Sequence, residues 1–397
     1  MDNLKIKSNQ LTAAVSLKYV RYLEKQIDWK WRLNGILGAR GTGKSTLLLQ
    51  QLKKNHGTAN DAIYISLDDL YFAGHSLLDF VQKFRNKGGR YLYIDEVHKY
   101  KNWAVELKNI YDTYPDLFIV FTGSSIIDIL KQNVDLSRRA VIYYLHGFSF
   151  REYLAFIETE NIEAFGINDI VNSHTVLAAE IIERINPLKY FEDYLKFGYY
   201  PYFIESKNLY FRRLEQTINQ ILESDLNFIA GYDAKNAPKI KQLLYILSMN
   251  VPFKPNIVKL SERTGIHRNT LITYIHYLEK AQIINAVYPS GAGASILQKP
   301  EKIYLNNTNL SFMLAETIPN KGNLRETFFI NQLKTSHSIK IPKTGDFEID
   351  GKYIFEIGGK NKTFEHIKNE KDAFVVADDI LTGSYNKIPL WLFGFLY

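Results

Sequence analysis

Short unbroken apolar runs recur through the first third of the chain: GILGAR at 35–40, AIYISL at 62–67, RYLYIDE at 90–96 and LFIVFTGSS at 117–125. None alternates with polar residues, so each reads as a strand covered on both faces. Helical spacing separates them, which predicts a parallel α/β layer over 35–150. Residues 11–34 read as a helix ending in the aromatic-rich DWKWRLNG, and a second helix runs from Lys44 to about Lys54. From Phe150 to about Asn250 the pattern becomes helical and amphipathic. FGYYPYF at 197–203 marks a loop or lid boundary within it.

Residues 254–308 change character. VKLSERTGI predicts a short helix ending at Gly265, and HRNTLITYIHYLEKAQ a second one with Leu271, Ile272, Ile275 and Leu278 on one face. IINAVYP and KIYLNN then read as two strands joined by a glycine-containing tip, SGAGAS. Helix, tight turn, helix and hairpin is the winged-helix order. From about Leu310 the chain reads helix, strand, hairpin (DFEIDGKYIFEIGG), helix, strand and a terminal apolar run, a separate small α/β domain. Asp350 falls in the turn of that hairpin and reads as turn chemistry.

At 397 residues the chain exceeds one ordinary core. Its 46% hydrophobic and 23% charged content is that of a folded globular protein. No apolar run reaches the roughly 18 residues of a membrane span, and MDNLKIKSNQ has no signal core. No cysteine is present, which excludes disulfides, thiolate zinc sites and thiol nucleophiles. We therefore expect a cytoplasmic protein with no membrane partner. The net charge of +7 is unevenly spread. Residues 1–150 carry 21 basic and 14 acidic side chains, 151–250 carry 10 and 14, and 251–300 carry 6 and 2. The first domain and the 251–300 segment thus favour anionic partners.

Gly38-Ala39-Arg40-Gly41-Thr42-Gly43-Lys44-Ser45 fits G-x-x-x-x-G-K-[ST] between an apolar strand and an apolar helix. Glycines let consecutive backbone N–H groups curl around phosphates, and the helix N-terminus adds partial positive charge. Lys44 is expected to reach the β- and γ-phosphates, the Ser45 hydroxyl to ligate Mg²⁺, and Thr46 to complete the loop's contacts with ATP. About 45 residues on, RYLYIDE ends in Asp95, placed to hold Mg²⁺, and Glu96, placed to polarise the attacking water. His98 reads as a surface helix residue. Thr122 or Ser124, at the end of FTGSS, is a candidate γ-phosphate sensor or else a helix cap. Arg138 and Arg139 are candidates for a finger supplied to a neighbour's nucleotide, or else for a surface salt bridge.

GARGTGKSTLLLQQL, YIDEVHK, FTGSS and SRRAVIYYLHGFSFREYL together resemble the prokaryotic AAA-superfamily ATPases that carry a winged helix and a C-terminal restriction-endonuclease-like domain. The resemblance covers nearly the whole chain. It implies four parts: an AAA-type P-loop NTPase domain over 1–150, a helical region over 151–250, a winged helix over 251–309 and a restriction-endonuclease-type α/β domain over 310–397. It also implies a first sensor at Thr122/Ser124, a trans-acting finger at Arg138/Arg139 and hence a homo-oligomer. No clear second sensor arginine stands in the helical region.

In the last domain, Glu326, Asp346 and Glu356 have a spacing that resembles the D-x(n)-[DE]-x-K constellation, in which carboxylates hold Mg²⁺ and a lysine orients water. Gly358 stands where that lysine belongs, so Lys360 is the candidate, brought in if Gly358-Gly359 bends the strand; otherwise the fold persists as a binding module. His267, Arg268, Asn269 and Thr270 open the second helix of the winged-helix segment, where they would meet DNA. The expectation is an ATP-hydrolysing switch or remodeller acting on DNA. The alternatives are a scaffold ATPase that binds protein partners and an ATP-regulated nuclease.

Overall fold

The computed structural model describes residues 1–124, 136, 138–157, 161–229, 232–249, 254–290 and 299–397. They form two compact units, Met1–His146 and Gly147–Tyr397.

In the first unit, α1 (Asp2–Ala14) precedes β1 (Leu33–Gly38), α2 (Lys44–Asn55), β2 (Ala62–Ser66), α3 (Leu77–Asn86), β3 (Tyr91–Asp95), α4 (Trp103–Thr113), β4 (Phe118–Ser124) and β5 (Val141–Tyr144). Among the described residues the strands form one parallel sheet in the order β2-β3-β4-β1-β5. Side chains alternate between its faces. Leu33, Leu37, Ile63, Ile65, Leu92 and Ile94 pack with Phe80, Phe84, Trp103 and Leu107 on one side. Ile36, Tyr64, Tyr93 and Val120 pack with Leu47, Leu48 and Leu52 on the other. Burial on both faces explains why these strands show no polar alternation.

The helix expected over 11–34 is a correction. α1 stops at Ala14, Val15 is extended, and one 3₁₀ turn at Tyr22–Lys25 interrupts an otherwise irregular segment. Side chains of α2 supply the reason. Gln50 donates to the carbonyls of Ser16 and Tyr19, and Lys53 to those of Ala13 and Val15. These carbonyls are satisfied from outside, so no helical ladder is needed to satisfy them.

The second unit contains α5 (Phe150–Phe156), α6 (Ile167–Arg184), α7 (Pro187–Phe197), α8 (Tyr210–Glu223), α9 (Ala237–Met249), α10 (Ile257–Thr264) and α11 (Arg268–Lys280). β6 (Ile284–Pro289) and β7 (Lys302–Leu305) pair antiparallel; the tip expected between them lies, apart from Ser290, outside the described residues. α12 (Thr308–Leu314), α13 (Lys321–Leu333), β8 (Ile339–Ile341), β9 (Phe347–Ile349), β10 (Tyr353–Gly358), β11 (Ala373–Ala377) and β12 (Lys387–Pro389) complete it. Asp350 and Gly351, with φ of 56° and 67°, form the tight β9–β10 turn.

One difference from the sequence reading concerns where the last domain begins. β6 pairs with β8 through Tyr288–Lys340 and Pro289–Ile341, so the hairpin and the C-terminal strands share one mixed sheet, ordered β12-β11-β10-β9-β8-β6-β7. The boundary expected at 309 therefore runs through a continuous sheet.

Candidate nucleotide site and a second carboxylate cluster

The loop joining β1 to α2 lies at the carboxyl end of β1, whose neighbours are β4 and β5. In open parallel sheets, ligands bind outside the carboxyl ends where strand order reverses. A side chain at Gly38 would collide with the Leu145 carbonyl. Gly41 and Gly43 have φ of 83° and 93°, left-handed values that strain any residue with a β-carbon. Gly43 also caps α2, so the loop runs directly into the positive end of a helix dipole. The buried Thr42 donates from Oγ1 to the Ala39 carbonyl at 2.9 Å. Lys44, also buried, donates from Nζ to the carbonyls of Gly38 and Ala39 at 3.0 and 2.8 Å, which holds its ammonium over the loop. Ser45 and the exposed Thr46 follow in the first turn of α2, and Arg40 stands half-buried on the loop.

Asp95 ends β3 and is buried. Tyr64 on β2 donates its hydroxyl to Oδ2 at 2.7 Å, and Thr122 on β4 donates to Oδ1. Burial, and then the Asp95 charge, push the Tyr64 phenol far above its ordinary pKa, so it stays protonated and donates. Thr122 Oγ1 in turn accepts from the Glu96 amide at 3.2 Å. The Thr122 hydroxyl is thus engaged by Asp95 and Glu96; the residues that a helix cap would serve lie outside the described ones. Glu96 itself has a φ of 54°, a left-handed value uncommon for a residue with a side chain. Ser124 ends β4, in register with Gly38.

Three contributors escape a reading of the sequence. Arg21, buried in the irregular N-terminal segment, donates to the carbonyls of Thr42 in the loop and of His146, the latter at 2.7 Å. Tyr64 looks like any strand aromatic until its hydroxyl is traced to Asp95. His98 is a correction, because it is 6% exposed rather than on a helix surface. The 3₁₀ turn Val97–Lys99 folds it back toward β4, where its Nδ1 accepts from the Ser124 amide at 3.3 Å.

The two arginines part company. Arg139 makes a two-pronged ion pair with Asp112 of α4 at 2.8 and 2.9 Å, holding that carboxyl below its usual range. Arg138 is exposed.

In the second unit, Glu326 on α13, Asp346 just before β9 and Glu356 on β10 come together with basic side chains. Tyr304 donates to Glu326 at 2.5 Å. The Lys302 ammonium lies 3.8 Å from Glu326 and 4.0 Å from Asp346, and is itself nearly buried. Asp346 Oδ2 accepts from the Ile357 amide at 2.8 Å. Burial raises the pKa of both Glu326 and Asp346, and the Glu356 charge adds to it. Lys360 is a correction. It is exposed, and the lysine that reaches Glu356 is Lys362, at 2.5 Å, with His366 at 3.1 Å on the other oxygen. Lys362 packs its stem against Gly358, so the glycine admits a lysine from beyond the strand end. Among the described residues no group of three or more His, Asp or Glu is arranged to hold a metal ion.

α11 begins at Arg268, with His267 as its N-cap, and Gly265 (φ 62°) makes the turn from α10. His267, Arg268 and Asn269 are exposed and Thr270 half-exposed, and Lys259 and Arg263 on α10 are exposed as well. Among the described residues no helix is long and apolar enough to cross a membrane.

Comparison with known proteins adds the following. Residues 30–154 match the model of an AAA domain, and residues 188–320 match a domain of unknown function (DUF8612). An uncharacterized protein of Methanocaldococcus jannaschii, MJ1637, is 28% identical over 299 residues, covering 72% of this chain and 62% of the relative. The chain therefore spans less than two thirds of that relative's length. A second protein of that organism, MJ1544, is 23% identical over 382 residues, covering 91% and 78%. Among solved structures, AMPPCP-bound DnaA from Aquifex aeolicus is 19% identical, covering 69% of this chain and 88% of that one. The TM-score between them is 0.28.

Proposed function

We propose that the AAA-type domain carried by residues 30–154 hydrolyses ATP with Mg²⁺ and acts as a switch for the second unit. The observation that carries this reading is the placement of Lys44 on the loop after β1 and of Asp95, Glu96 and Thr122 at the carboxyl ends of β3 and β4 in the same parallel sheet, with loop glycines at left-handed angles. Lys44 and the loop amides bind the phosphates. Ser45 and Asp95 hold Mg²⁺, which when bound neutralises phosphate charge. Asp95 suits that role because its partners are neutral hydroxyls that leave its negative charge in place. Glu96 polarises the attacking water, with Thr122 fixing the strand end that bears it. Arg138 is the better candidate for a finger reaching a neighbouring copy, since Arg139 is engaged by Asp112. The test is direct. Lys44→Ala abolishes nucleotide binding or turnover, whereas Glu96→Gln binds ATP and turns it over about 10²–10⁴-fold more slowly. Parental turnover by Glu96→Gln refutes the assignment.

For the second unit, the order α10, tight turn, α11 and hairpin, with exposed Arg268, Lys259 and Arg263, supports a winged helix that meets DNA phosphates. DNA binding that weakens steeply with salt, with a shallower salt slope in Arg268→Ala, tests this. Salt-independent binding, or none, favours protein partners instead. The C-terminal cluster supports a non-cleaving module: among the described residues its carboxylates are not arranged as a metal-holding group, and Lys302 and Lys362 already face them. The residues present do not fit a Mg²⁺ ion there. Plasmid cleavage that is lost in Asp346→Ala would overturn that view.

A further inference from the structure

The imidazole of His98 connects two parts of the nucleotide site. The left-handed turn at Glu96 and the 3₁₀ turn after it bring His98 under the carboxyl end of β4. There the Ser124 N–H donates to Nδ1 at 3.3 Å. A ring nitrogen that accepts a hydrogen bond carries no proton, so the proton of the neutral ring sits on Nε2. Nε2 lies 3.3 Å from Glu96 Oε2. That approach is close enough for attraction but not an aligned hydrogen bond, and contacts of this kind commonly tighten only in the reacting complex. Ser124 is paired in register with Gly38, the first residue of the phosphate loop. A continuous path thus runs from the loop strand through β4 and the buried ring to the Glu96 carboxylate.

We propose that His98 is a positioning residue for Glu96, and that its Nε2–H aims the carboxylate at the attacking water. The inference rests on Glu96 being the water-polarising group. A glutamate side chain turns about three bonds, and the Glu96 side chain is only partly buried, at 21% exposure. Burial immobilises the imidazole, and a donor fixed on the β4 edge restricts where the carboxylate points. Misplacing a reacting group by about 1 Å can cost on the order of 10²-fold in rate. The contacts that bind nucleotide belong to the loop and Lys44, so loss of this aim lowers kcat and spares KM.

Two conservative variants separate this role from packing. His98→Gln keeps an N–H donor near the Nε2 position, while His98→Asn keeps an acceptor for Ser124 but falls short of Glu96. The expected result is a fall in kcat of about 10–10²-fold in His98→Asn with KM for ATP within about twofold, and recovery of most of kcat in His98→Gln. Parental kcat in His98→Asn, an equal fall in both variants, or KM rising in step with kcat would overturn the proposal. Independently of turnover, ¹⁵N spectra of the histidine rings in the full chain should show His98 as the Nε2–H tautomer, with its signals moved by Glu96→Gln. An Nδ1–H tautomer sinks the idea even if Glu96 proves to be the base. Parental turnover by Glu96→Gln instead marks failure of the underlying assignment.

Discussion

Asp95 in the first unit and the trio Glu326, Asp346 and Glu356 in the second are acidic groups gathered at strand or helix positions beside a sheet, yet their partners differ in kind. Asp95 accepts from the uncharged hydroxyls of Tyr64 and Thr122. Such donors stabilise an anion without cancelling its charge, so its field stays available to a cation. The trio faces the ammonium groups of Lys302 and Lys362, which neutralise the charge a metal would otherwise meet. The charge of the groups that hold a carboxylate is thus a second variable beside its position.

The largest effect that bears on this contrast is on turnover. Asp95→Asn should lower ATP hydrolysis by about 10²-fold or more, comparable to losing other groups that stabilise developing charge, while Asp346→Asn leaves it unchanged. Steady-state rates check both, and equal rates in the two variants would break the contrast. Next in size is Lys302→Met, which leaves Glu326 and Asp346 without their ammonium. Denaturant titration should show a loss of about 2–4 kcal/mol, scaled down from a fully buried pair because Lys302 retains slight exposure. Mn²⁺ should restore part of that stability in the variant and have no effect on the parent. Stabilisation of the parent by Mn²⁺ would show that the lysine does not exclude metal.

Tyr64→Phe sharpens the other side. Removing one neutral donor from Asp95 should weaken function or stability by about 1–3 kcal/mol, read as turnover and melting temperature. No change would mean that the hydroxyl contact is incidental.

The smallest effect is in pH dependence. Burial raises the pKa of Glu326 and Asp346 in the folded chain, so the folded state binds protons more tightly than the unfolded one. Their contribution to stability is therefore greatest below the ordinary carboxylate range, at about pH 4, and is lost as pH rises through the folded values. In Glu326→Gln/Asp346→Asn that loss should disappear, flattening the pH dependence of stability across the window, as read by denaturant titration at several pH values. An unchanged slope would place these carboxyls in a more watery setting than their burial implies.

How much of this was legible beforehand varies with the range of the interaction. The loop at Gly38–Ser45 and the strand ending in Asp95 are local patterns, because phosphate binding needs contiguous amides and a strand-end carboxylate needs an apolar run before it. The β9–β10 turn at Asp350 was legible for the same reason. The extent of α1, the burial of His98 and the identity of the lysine on Glu356 were not. Each depends on a contact or backbone turn without a sequence signature: Gln50 and Lys53, distant in the chain, on the N-terminal carbonyls, the left-handed Glu96, and Lys362 folding back across Gly358.

The amino-acid sequence by itself determined that this chain builds a parallel sheet with a phosphate loop and an acidic strand end, since periodicity and backbone freedom are local properties. Only the tertiary structure decided which carboxylates meet neutral hydroxyls and which meet ammonium groups. Whether Thr122, Tyr64 or Lys302 reaches a given oxygen depends on strand order and register, and no spacing along the chain encodes that.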